Sequence, residues 1–194
     1  MHTQLMDRDH RPGEGVLVPY SAQLGLWVFL ATVTILFAAF TSAYIVRSAG
    51  SDWKSVPLPS FLWVNTVLLA WSSITLEISR SALRSDSLKT AQNWFLATAG
   101  LGLVFLVGQL VAWQDLMARG FYVPTNPHSA FIYILTGLHG LHLLSGVVLL
   151  VYVSRRLWIQ GETVRQRDLT GVCATYWHFL GILWIFVFVL LSLG

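Results

Sequence analysis

The sequence predicts an all-α integral membrane protein, a bundle of five transmembrane helices. Hydrophobic residues make up 55% of the chain and charged residues only 11%, whereas soluble domains carry about 25% charge. The segment from residue 120 to residue 154 contains no Asp, Glu, Lys or Arg, and a membrane helix needs about 20 predominantly apolar residues. A chain of 194 residues therefore has room for a handful of such helices and no appended soluble domain.

Five apolar runs define the predicted helices. Residues 1–20 form a polar cytoplasmic amino-terminal segment, in which Pro12, Gly13 and Pro19 oppose an early helix. Residues 21–194 form the membrane domain, with helices over about residues 21–47, 61–81, 91–117, 130–153 and 172–193. Short loops join the first four helices, and a basic loop over 155–167 precedes the last.

Basic residues are distributed unevenly between the two sides of the membrane. One side carries only Arg47, Lys54 and Arg119, and the other carries nine of the twelve Lys and Arg residues. Because cytoplasmic segments are enriched in Lys and Arg, we expect a cytoplasmic amino terminus and a periplasmic carboxyl terminus. The nine are Arg8, Arg11, Arg80, Arg84, Lys89, Arg155, Arg156, Arg165 and Arg167.

Polar residues inside the second and third predicted helices indicate packing against other helices. Asn65, Gln109, Glu77 and Arg80 are expected to make polar contacts between helices. Glu77 and Arg80 lie three residues apart near a helix end. They fit an interfacial ion pair, with a proton relay as the alternative.

Histidines are unusual at membrane depth, because buried polar groups need partners. His139 and His142 fall about 60° apart on one face of the fourth helix, opposite Gly137 and Gly140. We expect both histidines to make interhelical polar contacts. Imidazole also binds haem and metals, so a small haem-binding membrane protein using His139, His142 and His178 is a rival from another class.

The fifth helix has two distinct faces. The face with His178 and Gly181 is expected to look inward, and the face with Trp177, Trp184 and Phe188 is expected to pack against lipid or a partner subunit.

Few residues are available for catalysis or metal binding. The single cysteine, Cys173, excludes an internal disulfide, a paired-cysteine metal site and a Cys-x-x-Cys-His haem attachment. The sequence has no Gly-rich phosphate loop, Ser-His-Asp arrangement or paired catalytic carboxylates. We therefore predict a chain that has no metal and no catalytic residue of its own, and that does not bind nucleic acid. A transporter is a third class, for which Glu77 and Asp115 are the available charged groups.

Several segments together resemble one family. They are residues 24–31 with 42–44, residues 65–66 with 72–75, residues 109–113, the run Thr-Gly-Leu-His-Gly-Leu-His at 136–142, and Tyr-Trp-His-Phe at 176–179 followed by 184–186. The chain resembles subunit III of haem-copper terminal oxidases (cytochrome c oxidase subunit III) in its short, five-helix bacterial form.

The resemblance implies a multi-pass protein of the bacterial inner (plasma) membrane. It implies a bundle with a V-shaped cleft that holds phospholipid, and partners that include the haem- and copper-bearing subunit I, with subunit II and other respiratory subunits. It implies an accessory role in a proton-translocating oxidoreductase, supporting subunit I stability and proton uptake in aerobic electron transport. By this analogy His178, Arg165, Arg167 and Trp177 form a lipid-binding set.

The chain departs from the resemblance at acidic positions. The family commonly has carboxylates where Val33, Ala112, Gly171 and Gly181 stand, so a proton-antenna role does not carry over. Subunit III of a quinol oxidase and the accessory protein of nitric oxide reductase are alternatives within the family.

Overall fold

The computed structural model describes residues 17–85, 87–160 and 164–194, with side chains described in these ranges except at 17–22, 160 and 164–167. These residues form five α-helices. They are α1 (Leu17–Ser48), α2 (Phe61–Arg84), α3 (Leu88–Ala118), α4 (Pro127–Gln160) and α5 (Val164–Leu193). Each contains a segment long and apolar enough to cross a membrane. The predicted all-α class with five membrane helices is confirmed. The orientation of the termini stays a prediction.

The helices extend further than the apolar runs predicted. α4 begins at Pro127 because Pro suits the first helical position, and the Oδ1 atom of Asn126 accepts a hydrogen bond from the backbone N–H of His128 at 3.0 Å. At its other end α4 continues to Gln160. The basic loop expected over 155–167 was wrong at both ends, since Arg155 and Arg156 are helical and α5 begins at Val164.

Four of the helices, α2 to α5, form a closed ring, and α1 lies outside it. In order around the ring, α2 packs against α3, α3 against α4, α4 against α5, and α5 against α2. α1 packs only against α4 and α5. Large apolar side chains cover the outer surface, as lipid contact requires; Val46 and Ile35 of α1 are 74% and 70% exposed.

The two faces of α5 point the opposite way from the prediction. Trp177 and Trp184 are each only 1% exposed. Their indole N–H groups cross to α2, donating to the Oγ atom of Ser72 and the Oγ1 atom of Thr66, both at 3.0 Å. His178 instead lies at the outer surface, with 34% of its side chain exposed. The aromatic face turns inward because each indole finds a hydroxyl partner inside the ring.

The loops between α1 and α2 and between α3 and α4 meet at one end of the bundle. The side-chain N–H of Asn126 donates to the carbonyl oxygen of Lys54 at 2.6 Å, and the backbone N–H of Val56 donates to Nδ1 of His128 at 2.9 Å. The ring of Trp53 stacks on that of His128, with 4.8 Å between ring centroids. These contacts fix the alternating up-and-down order of the first four helices.

Candidate functional site

Three charged or titratable side chains meet on the outer face of α2 and α5. The Nε2 atom of His178 lies 2.8 Å from Oε1 of Glu77, and the Nη1 group of Arg80 donates to the same oxygen, with 2.7 Å between nitrogen and oxygen. Glu77 and Arg80 meet because they are three residues apart on α2. His178 joins them because α5 packs beside α2 in the ring. We call these three residues the α2–α5 cluster.

A groove runs along the surface next to this cluster. Its volume is about 380 Å³, and its walls are mainly apolar. Small side chains of α2 open it: Ala70 and Ser73 lie on one wall, and Gly181 lies opposite on α5. The groove therefore joins an apolar slot to a polar end, which is the profile of a lipid with a charged headgroup. Its lining residues are Thr66, Leu69, Ala70, Ser73, His178, Gly181, Ile182, Trp184 and Ile185.

The cluster is partly exposed on the outer surface of the bundle. The exposed fractions of the side chains are 49% for Glu77, 28% for Arg80 and 34% for His178. Charged groups inside a membrane span are costly unless they pair with one another or with a polar ligand. The contacts among the three side chains offset part of this free-energy cost. The exposed side of the cluster is the side on which such a ligand would bind.

The other members of the predicted lipid-binding set lie elsewhere. Trp177 is inside the ring and bonded to Ser72, so the structure does not place it beside a lipid. The side chains of Arg165 and Arg167 lie outside the described residues. Of the two members whose side chains the structure describes, His178 lines the groove. Arg80, which we expected to act between helices, lies beside it instead.

The residues expected to make interhelical polar contacts behave differently from one another. The amide N–H of Asn65 donates across to the carbonyl oxygen of Phe105 at 3.1 Å. His142 instead bonds within its own helix, with Nδ1 at 2.6 Å from the carbonyl oxygen of Leu138. Neither ring nitrogen of His139 nor the Nε2 atom of Gln109 has a hydrogen-bond partner among the described residues, so the polar contacts of these two residues stay a prediction.

The three membrane histidines do not converge. His139 packs against Phe105 and Trp184, with ring centroids 5.8 and 5.0 Å away. His142 faces α1, where its ring centroid lies 6.1 Å from that of Phe29. His178 faces Glu77. Within the described ranges, no three His, Cys, Asp or Glu side chains come together as a metal site requires. The three histidine side chains therefore do not face a common point at which one haem could be bound by all of them.

Sequence reasoning missed two polar residues that join helices. His128 is completely buried and accepts its hydrogen bond from a backbone group 72 residues away. Tyr176 reaches α4, donating to the carbonyl oxygen of His142 at 2.9 Å and lying 2.7 Å from the Oγ atom of Ser145. The partners of both are distant in the sequence, so spacing along the chain carries no signal for them.

Comparisons with known proteins identify the family of the chain. A protein-family model described as "Cytochrome c oxidase subunit III" matches residues 13–193. The chain belongs to the cytochrome c oxidase subunit III family. It is thus a multi-pass membrane protein of a family whose members are subunits of an oxidoreductase complex.

Relatives of this family cover most of the chain. The chain is 33% identical over 174 residues to cytochrome c oxidase subunit 3 of Thermostichus vulcanus, a match that covers 87% of this chain and 85% of that protein. It is 29% identical to the probable cytochrome c oxidase subunit 3 of Mycobacterium tuberculosis, over 88% and 86% of the two chains. It is also 27% identical to cytochrome bo(3) ubiquinol oxidase subunit 3 of Pseudomonas aeruginosa, over 96% and 90%.

The four positions at which the resemblance leads us to expect carboxylates fall into two groups. Val33 and Ala112 are each 2% exposed, and Val33 packs in an apolar cluster that includes Phe37 and Leu135. Gly171 and Gly181 lie at surface grooves beside α5. The interior at Val33 and Ala112 is therefore filled by apolar side chains, and Glu77 places a carboxylate on the outer face of α2 and α5.

Proposed function

We propose that this chain is accessory subunit III of a respiratory haem-copper oxygen reductase, a cytochrome c oxidase. The observation that carries the proposal is the family match, which extends over residues 13–193 and includes all five helices. In this role the chain carries no redox centre. It stabilises subunit I, holds phospholipid and supports proton uptake by the haem- and copper-bearing partner in aerobic electron transport.

A quinol oxidase is the second candidate complex. The relationship to cytochrome bo(3) ubiquinol oxidase subunit 3 extends over 96% of the chain and supports it specifically. The two candidates differ in the electron donor, which binds to other subunits. The same bundle serves as the accessory subunit in both.

We place the chain in a bacterial inner membrane, with the amino terminus in the cytoplasm. The loop that contains Lys54 and the loop before Asn126 share one end of the bundle, and they carry few basic residues. The opposite end carries Arg80 and Arg84, with Arg155 and Arg156 at the end of α4. This asymmetry supports the proposed orientation.

The groove beside the α2–α5 cluster is the proposed phospholipid site. An acyl chain fits the apolar slot between α2 and α5, and the guanidinium of Arg80 suits a phosphate oxygen. The carboxylate of Glu77 suits a cationic headgroup, so a zwitterionic lipid matches both charges. His178 holds Glu77 in place through their 2.8 Å contact.

Purification of the tagged chain in mild detergent tests the assignment. We expect haem- and copper-bearing subunit I to copurify, and a copper-binding electron-entry subunit to copurify if cytochrome c is the donor. Its absence, together with oxidation of added quinol, would favour the quinol oxidase. Recovery of the chain without any oxidase core would contradict both.

The visible spectrum of the separated chain is the companion measurement. We expect no Soret band, because haem and copper belong to the partner subunits. A Soret band at one haem per chain, lost in His139→Ala or His178→Ala, would support the haem-binding alternative and contradict an accessory role.

A further inference from the structure

Two buried side chains at the centre of the bundle have polar atoms without partners. His139 is 0% exposed, and neither Nδ1 nor Nε2 has a hydrogen-bond partner among the described residues. Gln109 is 4% exposed, and its Nε2 atom is likewise unpartnered there. A neutral imidazole has one N–H donor and one nitrogen acceptor. Burying such groups without hydrogen bonds is unfavourable.

The contacts of neighbouring residues indicate that the two side chains lie at a similar level of the interface between α3 and α4. The indole N–H of Trp113 donates to the Oγ1 atom of Thr136 at 3.0 Å, and the ring of Phe105 lies 5.8 Å from that of His139. Gln109 is four residues from both Phe105 and Trp113, so it shares their face of α3. Since α3 and α4 are antiparallel, Gln109 faces the turn of α4 that ends at His139.

Gly137 and Gly140 lie at this level, on the face of α4 that meets α3. A Cβ atom at Gly140 would meet only Leu106, at 3.7 Å, and one at Gly137 would meet only Trp113, at 3.5 Å. The indole of Trp184 packs against His139 on the α5 side, at 5.0 Å between ring centroids. Because Trp184 also lines the groove between α2 and α5, it separates this interior region from the lipid site.

We propose that one or a few buried water molecules are bound here, between the amide of Gln109 and the imidazole of His139. A water molecule accepts a hydrogen bond from the Gln109 amide, and it either donates to the free ring nitrogen of His139 or accepts from the ring N–H. Buried waters in proteins make about three hydrogen bonds to groups that otherwise lack partners. The site is therefore a sealed hydration site within the apolar spans of α3 and α4, held by polar groups from both helices.

A density map of the intact complex in a lipid nanodisc, at a resolution that shows ordered water, tests the proposal. We expect a peak within hydrogen-bonding distance of both the Gln109 amide and a ring nitrogen of His139. Three results would overturn it: no peak, a direct hydrogen bond between the two side chains, or density for a larger ligand.

A double-mutant comparison gives a second, independent test. A bridging water couples the two side chains. The double variant Gln109→Leu/His139→Phe should therefore lose about as much melting temperature as the more destabilised single variant, and much less than the sum of the two single losses. The matched control pairs Gln109→Leu with Thr98→Val. The hydroxyl of Thr98 already has partners in Thr75 and the carbonyl oxygen of Trp94, so these losses should add. Additive losses in both pairs would overturn the proposal.

Discussion

Trp177 fills the space that the absent side chain of Gly102 leaves open. A Cβ atom at position 102 would lie 2.6 Å from Cη2 of Trp177, which is closer than packed carbon atoms approach. Gly146 of α4 admits the same indole, with Cζ3 of Trp177 at 3.3 Å from a Cβ placed there. The indole N–H reaches Ser72 of α2. One side chain of α5 therefore contacts the other three helices of the ring.

The first prediction concerns this close approach. Gly102→Ala should lower the free energy of unfolding by about 1–3 kcal/mol, the usual cost of overpacking, because the indole and α3 must move apart. Gly100→Ala is the matched control, since a Cβ at position 100 meets nothing within 4 Å. The control should be neutral or stabilising by up to about 1 kcal/mol, because Ala favours helix over Gly. Thermal unfolding of the purified complex measures both, and equal effects of the two substitutions would contradict the packing described.

The second prediction concerns the hydrogen bond between Trp177 and Ser72. Ser72→Ala leaves a buried indole N–H without its partner and should cost about 1–3 kcal/mol. Combined with Trp177→Phe, the loss should fall short of the sum of the two single losses, because both substitutions remove the same bond. Thr175→Ala is the control: its exposed hydroxyl bonds only to the carbonyl oxygen of Gly171 in its own helix. A Ser72→Ala variant as stable as this control would contradict the prediction.

The third prediction concerns the proposed lipid site. His178→Ala removes the side chain that holds Glu77 at the mouth of the groove. If the lost contact is worth roughly 1 kcal/mol, lipid affinity falls about fivefold. Phospholipid retained per complex and the half-life during turnover should therefore fall, while initial turnover changes less. Val189→Ala, an exposed position of α5 outside the groove, is the control. Unchanged lipid content and an unchanged inactivation rate in His178→Ala would count against the site.

The fourth prediction concerns pH and the ion pair that follows α1. An N–H of the Arg47 guanidinium donates to a carboxylate oxygen of Asp52 at 2.8 Å, and this hydrogen bond holds the pKa of Asp52 below its ordinary value of 3.8. A carboxyl whose pKa is lower in the folded state stabilises that state above its unfolded pKa, and the contribution is lost as pH falls through the folded pKa. The small stability difference between the protein and Asp52→Asn should therefore be constant at neutral pH, decrease as pH falls below 3.8, and vanish once pH is below the lowered pKa of the folded state.

Thermal unfolding across this pH range measures that difference. Arg47→Gln should give the same loss at neutral pH, and the double variant should lose no more than either single variant. If the stability difference between the protein and Asp52→Asn persisted unchanged in acid, the contribution of Asp52 would not depend on its negative charge, contrary to the prediction.

The fifth prediction concerns orientation. Cys173 is 1% exposed, so the natural chain should react little with a membrane-impermeant maleimide. In right-side-out vesicles, Ser51→Cys in the loop after α1 should be labelled, and Ser85→Cys at the end of α2 should be labelled only after lysis. The reverse pattern would invert the proposed topology. Both serines are exposed, so accessibility within the protein does not bias the comparison.

The sequence predicted the number and location of the helices better than their ends or faces. Long apolar runs locate membrane spans because hydrocarbon excludes charge. They do not locate helix ends, because Arg155 and Arg156 remain helical beyond the apolar run. The cap at Asn126 is likewise a polar feature outside the run.

The faces of α5 were assigned the wrong way round for a related reason. Helical spacing shows that Trp177 and Trp184 share a face, but both lipid and the interior of the bundle are apolar. Hydrophobicity therefore does not distinguish the two directions. The useful signal was the set of small and hydroxyl residues on other helices, such as Ser72, Gly102 and Gly146, which together accommodate the indole.

The candidate site was only partly predictable. The contact between Glu77 and Arg80 follows from their spacing on one helix, and both residues were singled out. His178 lies beside them because α5 is a neighbour of α2. The separation of the three histidines likewise depends on which helices are neighbours. Pairing of helices is set by side chains far apart in the sequence, so spacing within one helix does not reveal it.

The outlying position of α1 has a consequence for how the protein assembles. α2 to α5 close their ring without it, and among the described helices α1 packs against α4 and α5. A polypeptide cut after Gly50 should therefore reconstitute from two coexpressed fragments, the first helix docking onto a preformed four-helix unit. The first span is in this sense a separate module that docks onto the ring formed by the other four helices.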